Sequence, residues 1–454
     1  MIRRFINKVF GKKPLGPLIL PLEKHGIRRE QIHACALKVT DTLKREGFDA
    51  FVVGGAVRDL LLQRTPKDFD VATNATPDEI RRVFRRARII GRRFQIVHVY
   101  CGADVIEVTT FRAAAPQQDE PEAEDGARVT ADDGMLLRDN VFGSHEEDAA
   151  RRDFTVNALY YDPEKQEIWD WHDGVADAQK KLIRMIGNPT QRFREDPVRM
   201  LRASRFAAKL EFHIDPATRA PIAELAPMLA RIPTARLFDE MMKLLLSGHA
   251  ERGVKQLRAE GLHHGVLPML DAILDDADRQ KFLHAALHDT DERVRHGHSA
   301  SPAFMLACLL WFDFQSELAL AKGHPPHEQA TLFDAMDTVL ERQRDALAFP
   351  RRFDGTIKEI WAIQGRFTQR SGAKPFRLLT HPRFRAAYDF LLIRACSGDA
   401  PQELADWWLR FQDADDAERT DMLMPPTQGE GNKRKRRKRS RSKALGDAVE
   451  VILG

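Results

Sequence analysis

The sequence predicts an α+β protein with a mixed-sheet head, an all-helical neck and body, and a disordered basic tail. Apolar runs typical of strands alternate with helical patterns up to Trp171. Helical patterns then continue to about Phe411, interrupted by short stretches rich in Pro and Gly. The residues that follow are polar and include the run KRKRRKRSRSK, Lys433–Lys443, whose composition favours disorder.

Length and composition bound the class of protein. The chain has 454 residues, enough for two to four domains of roughly 150 residues each. Hydrophobic residues make up 43% and charged residues 30%, which excludes a wholly disordered protein. The net charge is only +4, and the basic run alone contributes +9, so the basicity belongs to the tail. We predict five segments: an N-terminal arm 1–30, the head 31–180, a neck 181–250, a body 251–411 and the tail 412–454.

The four cysteines are far apart and form no CxxC pair. This spacing predicts neither a zinc ribbon nor a disulfide framework, and it favours a reducing, cytoplasmic compartment. No apolar run approaches the roughly 18 residues of a membrane span. The basic start, MIRRFINKVFGKK, is interpreted as an N-terminal extension in preference to an arm that touches a membrane surface. The cysteines are Cys35, Cys101, Cys308 and Cys396.

The head begins with a predicted helix over 31–47 that Gly47 closes. A strand Asp49–Val53, a helix over 56–63 and a strand Phe69–Thr73 follow. The sequence Thr-Pro-Asp-Glu at 76–79 then predicts a capped helix start. We expect that helix to carry five arginines, Arg81, Arg82, Arg85, Arg86 and Arg88.

The rest of the head reads as strands around an acidic insertion. Two strand-like runs, QIVHVYC and DVIEVTTF, are separated by Gly102-Ala103 and predict a hairpin. The stretch Ala113–Gly134 is acidic, rich in small residues and predicted to be a mobile loop. A strand is expected at Ile168–Trp171, and a helix with three arginines on one stripe at Glu195–Arg205.

Two short motifs point to phosphoryl transfer. Gly54-Gly55 lets a backbone approach a phosphate closely, and the helix start that follows favours an anion. Asp68 and Asp70, two apart on the predicted strand, face one side, where they could share a pair of Mg²⁺ ions. Together these motifs predict one site for a nucleoside triphosphate and its magnesium.

Further candidates lie downstream, and for some of them structural roles are as plausible as chemical ones. Arg152 could hold a triphosphate or a base, although Arg151-Arg152-Asp153 taken alone is better interpreted as a surface ion pair. Asp153 and Glu107 compete for the role of a third carboxylate, and the residues alone leave both open. Arg199, Arg202 and Arg205 form a rack of donors on the predicted helix, with Asp196 an i,i+3 neighbour of Arg199, or else the helix presents a solvated charged face with an i,i+3 salt bridge.

Two other sets of residues suggest RNA or metal binding. Arg92 and Arg93 stand beside an aromatic residue, a pattern found in proteins that bind single-stranded RNA. His284 and His288 have helical i,i+4 spacing, but no further ligand pattern surrounds them, so a metal site is rejected there. The basic residues of the tail that we expect to bind RNA are Lys433, Arg434, Lys435, Arg436, Arg437, Lys438 and Arg439.

Four segments, in this order, resemble motifs of the class II nucleotidyltransferases, the family of CCA-adding enzymes and bacterial poly(A) polymerases. They read FVVGGAVRD, KDFD, RRDFTVNALYY and EDPVRMLRASRFAAKL, and the similarity covers residues 31 to about 250. The run IIGRRFQIVHV and the Lys/Arg-rich C-terminus are similar to the poly(A) polymerase branch. The resemblance implies a polymerase-β-like head, a neck that completes the nucleotide pocket and a helical body that guides RNA.

The resemblance also implies roles for individual residues. Asp68 and Asp70 would bind the metal ions, and Asp153 would be the third catalytic carboxylate. It stays open whether Asp196 and Arg199 together recognise the adenine base in this protein. The residues that match nucleotide-contacting positions are Gly55, Arg58, Arg152, Arg202 and Arg205.

The activity so implied is template-independent addition of AMP from ATP to RNA 3′ ends, with release of pyrophosphate. The partners expected are mRNA, small RNAs, tRNA and proteins of RNA decay, and not DNA. Two alternatives stay open: a tRNA CCA-adding enzyme, which shares every catalytic motif, and a catalytically inactive RNA-binding adaptor.

Overall fold

A computed structural model of the protein describes residues 16–91, 95–113, 128–130, 136–139, 141–263, 276–321 and 328–425. The chain divides into two compact units. The first consists of Met1–Leu244 and Arg252–Val266, and the second consists of Leu245–Glu251 and Leu267–Gly454. The first unit holds an eight-stranded mixed sheet, and the elements described in the second are helical, which confirms the predicted α+β class. Arg92, Arg93 and the basic residues 433–439 lie outside the described ranges.

The sheet of the first unit has the strand order β1-β10-β9-β2-β3-β6-β5-β4. Neighbouring strands are antiparallel, except that β3 and β6 are parallel. Its strands are β1 (Leu18–Leu20), β2 (Ala50–Val53), β3 (Asp70–Thr73), β4 (Ala87–Ile90), β5 (Ile96–Cys101), β6 (Asp104–Thr110), β9 (Leu159–Asp162) and β10 (Glu167–Asp170). Two small ladders accompany it, β7 (Arg128–Thr130) with β8 (Leu136–Asp139) and β11 (Leu182–Ile183) with β12 (His213–Ile214).

Short helices surround this sheet. Those described as far as residue 225 are α1 (Leu22–His25), α2 (Ala34–Arg45), α3 (Gly55–Leu61), α4 (Pro77–Val83), α5 (His145–Arg151), α6 (Gly174–Gln179), α7 (Pro189–Glu195), α8 (Val198–Leu210), α9 (Pro216–Arg219) and α10 (Ile222–Leu225). Helices α11 (Thr234–Leu245) and α12 (Ala250–Ala259) follow.

The two faces of the sheet differ in what covers them. Alternate residues of a strand point to opposite faces, so Val52 and Val71 join the large core cluster that α2 also enters. On the other face Phe51, Val53 and Tyr160 pack into a smaller aromatic cluster. That second face also carries Asp70, which is the register partner of Val53, and it is therefore the face of the candidate site.

Several local predictions are confirmed. Thr76 caps α4, with Pro77 in the first turn and Glu79 closing a capping box. The hairpin around Gly102 is formed by β5 and β6, and Gly102 has the positive φ of 70° that such a turn requires. The strand predicted at Ile168–Trp171 is β10, which begins and ends one residue earlier.

The prediction of one arginine-bearing helix over 77–88 was wrong. Helix α4 ends at Val83, so Arg81 and Arg82 lie on it, whereas Arg88 lies on strand β4. The physical reason is sheet pairing, since β4 is an edge strand that pairs with β5, and a local sequence pattern does not report such pairing. The predicted loop 113–134 also needs correction, because Arg128–Thr130 within it forms a strand of the β7–β8 ladder.

Two segment boundaries and one predicted helix also differ from the prediction. Leu18–Leu20, assigned to the N-terminal arm, pairs with β10 at the edge of the sheet. The helix predicted at Glu195–Arg205 is divided, because Glu195 ends α7 and α8 begins at Val198 after the extended Asp196. The predicted tail begins too early, since Asp416–Asp421 still forms a helix.

The cysteine prediction was wrong for one pair. Cys35 on α2 and Cys101 at the end of β5 form a disulfide with a Cα–Cα separation of 6.0 Å. The two residues are 66 positions apart in sequence, and both pack in the core on the α2 side of the sheet. Only the folded packing brings them together, so no spacing motif could reveal the pair.

The described elements of the second unit are helices, and aromatic side chains lie in its core. Trp407, Trp408 and Phe411 lie at the centre of one of its core clusters. His284 and His288, rejected above as a metal pair, both lie beside Glu251. Its helices are α13 (Ala277–Arg295), α14 (Pro302–Leu309), α15 (Trp311–Ala321), α16 (Glu328–Leu347), α17 (Asp354–Gln364), α18 (Lys374–Leu379), α19 (Phe384–Ser397), α20 (Gln402–Asp413) and α21 (Asp416–Asp421).

No single helix in the described ranges is long and apolar enough to cross a membrane. Helices α14 and α15 meet the length and composition requirements only as a pair, and they are bent by 52° relative to each other.

Candidate active site

A polar cavity of about 740 Å³ lies in the first unit. Its walls are formed by the β2–α3 turn, the ends of β3 and β6, the segment around residues 148–157, and helices α8 and α11. All eleven residues that the sequence nominated for catalysis and nucleotide binding line it, although this placement does not test their roles. They are Gly54, Gly55, Arg58, Asp68, Asp70, Arg152, Asp153, Asp196, Arg199, Arg202 and Arg205.

Charges in the cavity wall are nearly balanced. Nine Lys and Arg side chains and eight Asp and Glu side chains line it. A bare basic patch would attract any polyanion, whereas here carboxylates hold the guanidinium groups in fixed directions. The site is therefore suited to position a small anionic ligand as well as attract it.

The glycine turn connects β2 directly to α3. Gly54 has φ +75° and ψ −126°, a conformation that residues with a Cβ rarely adopt. Its N–H donates to the carbonyl oxygen of Leu159, 3.0 Å away, which ties the turn to β9. A Cβ on Gly54 would stand 3.6 Å from Nη1 of Arg152, so the bare backbone and this guanidinium lie side by side on the cavity wall.

Arg58, predicted to contact nucleotide, is held by the protein itself. It is buried, its Nε donates to Oδ1 of Asp59 at 2.8 Å, and its Nη1 donates to Oδ1 of Asn157. The guanidinium also lies over the ring of Phe206, 5.3 Å from its centroid. These contacts make Arg58 a support that joins α3 to the neighbouring segments.

Asp70 lies in a cluster of negative charge. Parallel pairing of β3 with β6 makes Glu107 its register partner, so the two side chains share one face of the sheet. Burial, Glu107 and Asp68 raise the pKa of Asp70 to about 6, and Arg152 opposes that rise. Asp68 is exposed and precedes the strand, which begins at Asp70 and not at Phe69 as predicted.

This donor set fits a hard divalent cation. Carboxylate oxygens are the ligands that Mg²⁺ prefers, and it is commonly bound by one or two of them together with substrate phosphates. A cation beside Asp70 would also relieve the repulsion that raises the pKa of this side chain. In the described part of the chain, no group of three or more His, Cys, Asp or Glu side chains could hold a metal ion by itself.

Asp153 has different surroundings. Its Oδ2 accepts from Nε and Nη2 of Arg202 at 2.8 and 2.6 Å, and its Oδ1 accepts from Asn157 and from the N–H of Phe154. Burial alone would raise the pKa of Asp153, but Arg202 and the two other donors hold it at about 2. Asp153 is therefore a permanently ionised partner of an arginine.

Arg152 is held by residues that the sequence analysis missed. Its Nη2 donates to Asp148 at 3.1 Å and its Nε donates to the hydroxyl oxygen of Tyr160 at 2.8 Å, while the Tyr160 hydroxyl donates to Asp148 at 2.6 Å. Asp148 stands four residues before Arg152, a helical spacing that could have revealed it. Tyr160 lies on β9, and no local pattern signals its role.

Asp196 and Arg199, which the sequence analysis took together, each contact a charged residue that it did not name as a partner. Asp196 accepts from both Nη groups of Arg236 on α11, at 3.1 and 2.9 Å. Arg199 instead donates to Glu195 at 3.0 Å. The break in the predicted helix leaves Asp196 in extended backbone before α8, so the helical i,i+3 geometry predicted for Asp196 and Arg199 does not apply.

Arg205 is also held by α11, where it pairs with Glu240. Arg236 and Glu240, four positions apart on one helix, were not nominated from the sequence. Their partners are 40 and 35 positions away, so only the folded chain reveals them.

A mixed sheet that presents two aspartates to an arginine-lined cavity, with a glycine turn beside them, defines a nucleotidyltransferase. The matching families are described as the Poly A polymerase head domain at residues 50–184, a probable RNA and SrmB-binding site of polymerase A at 211–274, and the polymerase A arginine-rich C-terminus at 322–443.

Individual relatives agree with these families. The chain is 43% identical to poly(A) polymerase I of Salmonella typhimurium, over 89% of this chain and 88% of that protein. It is 39% identical to the CCA-adding enzyme of Bacillus licheniformis, over 53% of this chain and 57% of that protein. The chain therefore belongs to the poly(A) polymerase I family.

A solved structure supports the fold. The CCA-adding enzyme of Bacillus stearothermophilus, in complex with CTP, superposes with a TM-score of 0.57 at 28% identity, over 83% of this chain and 80% of that one. The predicted polymerase-β-like fold and membership of the wider family with CCA-adding enzymes are confirmed.

The surroundings of Asp70 generate a stability prediction. The pKa of this side chain is raised from 3.8 to about 6 in the folded protein, so the metal-free protein loses stability as the pH rises through that interval. We expect Asp70→Asn to stabilise the metal-free protein near neutral pH by at most about 3 kcal/mol, or several degrees of melting temperature. Calorimetry in EDTA at a series of pH values would measure the difference, which should vanish below about pH 4.

Asp334→Asn, at an exposed position on α16, controls for the chemical change itself. A melting temperature of Asp70→Asn at or below that of the wild type near neutral pH would contradict the raised pKa.

Proposed function

We propose that this protein adds AMP from ATP to RNA 3′ ends without a template and releases pyrophosphate. The observation that carries the proposal is the face shared by Asp70 and Glu107 beside an arginine-lined cavity, in a chain of the poly(A) polymerase I family. In the reaction the RNA 3′ oxygen forms a bond to the α-phosphorus as the bond to the β-phosphate oxygen breaks. Pyrophosphate leaves and the hydroxyl proton is released.

The chain's own residues bind and orient the triphosphate. The Gly54-Gly55 turn offers backbone close to Arg152, whose Nε and Nη2 are occupied by Tyr160 and Asp148. Its Nη1 faces the turn, where it can donate to a phosphate oxygen. Bound at Asp68 and Asp70, Mg²⁺ would offset charge on the phosphoryl oxygens and lower the pKa of the attacking hydroxyl.

Glu107 is the better candidate for the third carboxylate, although the family resemblance nominated Asp153. Glu107 shares the register position of Asp70 and raises its pKa. Asp153 is instead bound by two nitrogens of Arg202, so it is suited to hold that arginine toward the nucleotide. The two roles lead to different kinetic effects.

We expect Glu107→Gln to lower kcat by about 100-fold or more with little change in KM for ATP, because it removes a carboxylate from the reacting centre. Asp153→Asn should instead raise KM for ATP and lower the melting temperature, because it leaves the Arg202 guanidinium without its charged partner. Steady-state kinetics and thermal melts of both variants would measure this. A normal melting temperature with lost turnover in Asp153→Asn, and an active Glu107→Gln, would reverse the assignment.

The proposed activity is tested by extending 5′-labelled oligo(A) and a tRNA that lacks its CCA end, with Mg²⁺ and each nucleoside triphosphate separately. We expect a long ladder with ATP only, on both substrates, and no extension by Asp70→Ala, which should still bind RNA. Addition of two CMP and one AMP to the tRNA, followed by arrest, would establish a CCA-adding enzyme. No extension of either substrate would favour the RNA-binding adaptor.

The basic tail should add nonspecific affinity for RNA. If all nine charges engaged phosphates, the slope of log affinity against log salt would approach about −6, at about −0.7 per contact on single strands. Deleting residues 430–454 should therefore weaken RNA binding and flatten that slope. Unchanged affinity and slope in a salt titration would rule out an RNA-binding tail.

Other assignments remain proposals from the family resemblance. They are a cytoplasmic location, RNA-decay proteins as partners, mRNA and small RNAs as substrates, and adenine reading by Asp196 with Arg199. The contact of Asp196 with Arg236 makes Arg236 a further candidate for this reading.

A further inference from the structure

The sheet face that carries the candidate site continues beyond the cavity. Strand register places Asp70, Glu107, His98 and Arg88 in one row across β3, β6, β5 and β4. Residues paired in register point to the same face of a sheet. The row therefore passes from the carboxylates to a histidine and then to an arginine on the edge strand.

A second row, beside the first, is apolar and exposed. Val105 on β6 pairs with Tyr100 on β5, and their exposed fractions are 42% and 38%. The rings of Tyr100 and His98 lie 6.5 Å apart, and His98 Nε2 lies 3.4 Å from Glu107 Oε1. An aromatic surface is thus continuous with the carboxylate cluster.

The edge of the sheet adds positive charge to this surface. Arg88 is exposed on β4, and Arg86, also exposed, accepts the N–H of Tyr100 with its backbone oxygen at 2.9 Å. Exposed aromatic groups next to arginines are the composition of surfaces that bind single-stranded nucleic acid, where bases stack and phosphates meet guanidinium groups. A docking surface for a protein would not require this gradient from acidic to aromatic to basic side chains.

The stereochemistry of the proposed reaction selects the same surface. Phosphoryl transfer places the attacking and leaving oxygens roughly in line across the phosphorus. The cavity reaches Asp68, Asp70 and Thr109 but does not include Glu107, His98 or Tyr100. With the triphosphate in the cavity, the attacking 3′ hydroxyl has to approach the α-phosphorus from the side opposite the pyrophosphate, and the sheet face of Glu107, which adjoins the cavity at Asp70, is open to that approach.

We propose that His98, Tyr100 and Val105, with Arg86 and Arg88 at the edge, form a platform that binds the last nucleotides of the RNA primer. Bases stack on Tyr100 and Val105, and the arginines contact the phosphates. This inference rests on the proposed function, because it assumes that an RNA 3′ end is the acceptor.

The test compares KM for RNA with KM for ATP on an oligo(A) primer only a few nucleotides long, which cannot also reach distant basic segments. Tyr100→Ala should raise KM for the primer about 5- to 150-fold, the usual effect of losing one stacked base, and leave KM for ATP unchanged. Tyr100→Phe keeps the ring and should behave like wild type. Arg88→Ala should also raise KM for the primer and flatten the salt slope by about 0.7.

The matched control is Leu18→Ala, which shortens an apolar side chain of similar exposure at the other edge of the same sheet. It should leave both KM values unchanged. If wild type extends RNA but Tyr100→Ala keeps its KM for the primer, the platform is wrong and the patch is a surface for another partner. If wild type extends no RNA at all, the proposed function itself fails.

Discussion

The parallel pairing of β3 with β6 brings together negative charges that the rest of the head has to compensate. It places Asp70 and Glu107 at the same register position on one face, with Asp68 close enough to raise the pKa of Asp70 as well. Like charges held this close are unfavourable unless a cation joins them. The protein supplies part of that compensation through Arg152, and the rest is available to a bound cation. A cation bound at these carboxylates would therefore also relieve a cost of the strand pairing.

The arginines of the cavity wall are each anchored before any substrate arrives. Asp148 and Tyr160 hold Arg152, Asp153 holds Arg202, and Glu195 holds Arg199. A guanidinium that is already oriented loses less conformational freedom when it binds phosphate. The nearly balanced charge of the cavity is therefore a device for orientation, and it explains why an acidic residue accompanies almost every arginine there.

The sequence predicted correctly those features of the fold that depend on neighbouring residues. The glycine turn at Gly54, the cap at Thr76 and the hairpin at Gly102 each adopt a local conformation that only a few residue types favour. The prediction from sequence failed where a residue's conformation or contact depends on a partner residue that is distant in the sequence. Arg88 joins a strand because β5 pairs with it, and the cysteine pair and the contact of Asp196 with Arg236 depend on packing across 66 and 40 residues.

The two substrates of the proposed reaction place opposite requirements on one sheet face. A template-independent polymerase that starts on different RNAs must accept different 3′ ends, and stacking on a ring tolerates any base because every base has a π face. Selection of ATP has to occur elsewhere, through side chains that can read a base edge in the cavity, as Arg199 and Arg236 could. In the proposed arrangement the carboxylates would thus separate a primer site beside β5, which tolerates any base, from a nucleotide site beside α8 and α11, which selects ATP. In the proposed reaction this separation would let the enzyme accept different RNA ends while the nucleotide pocket keeps one specificity.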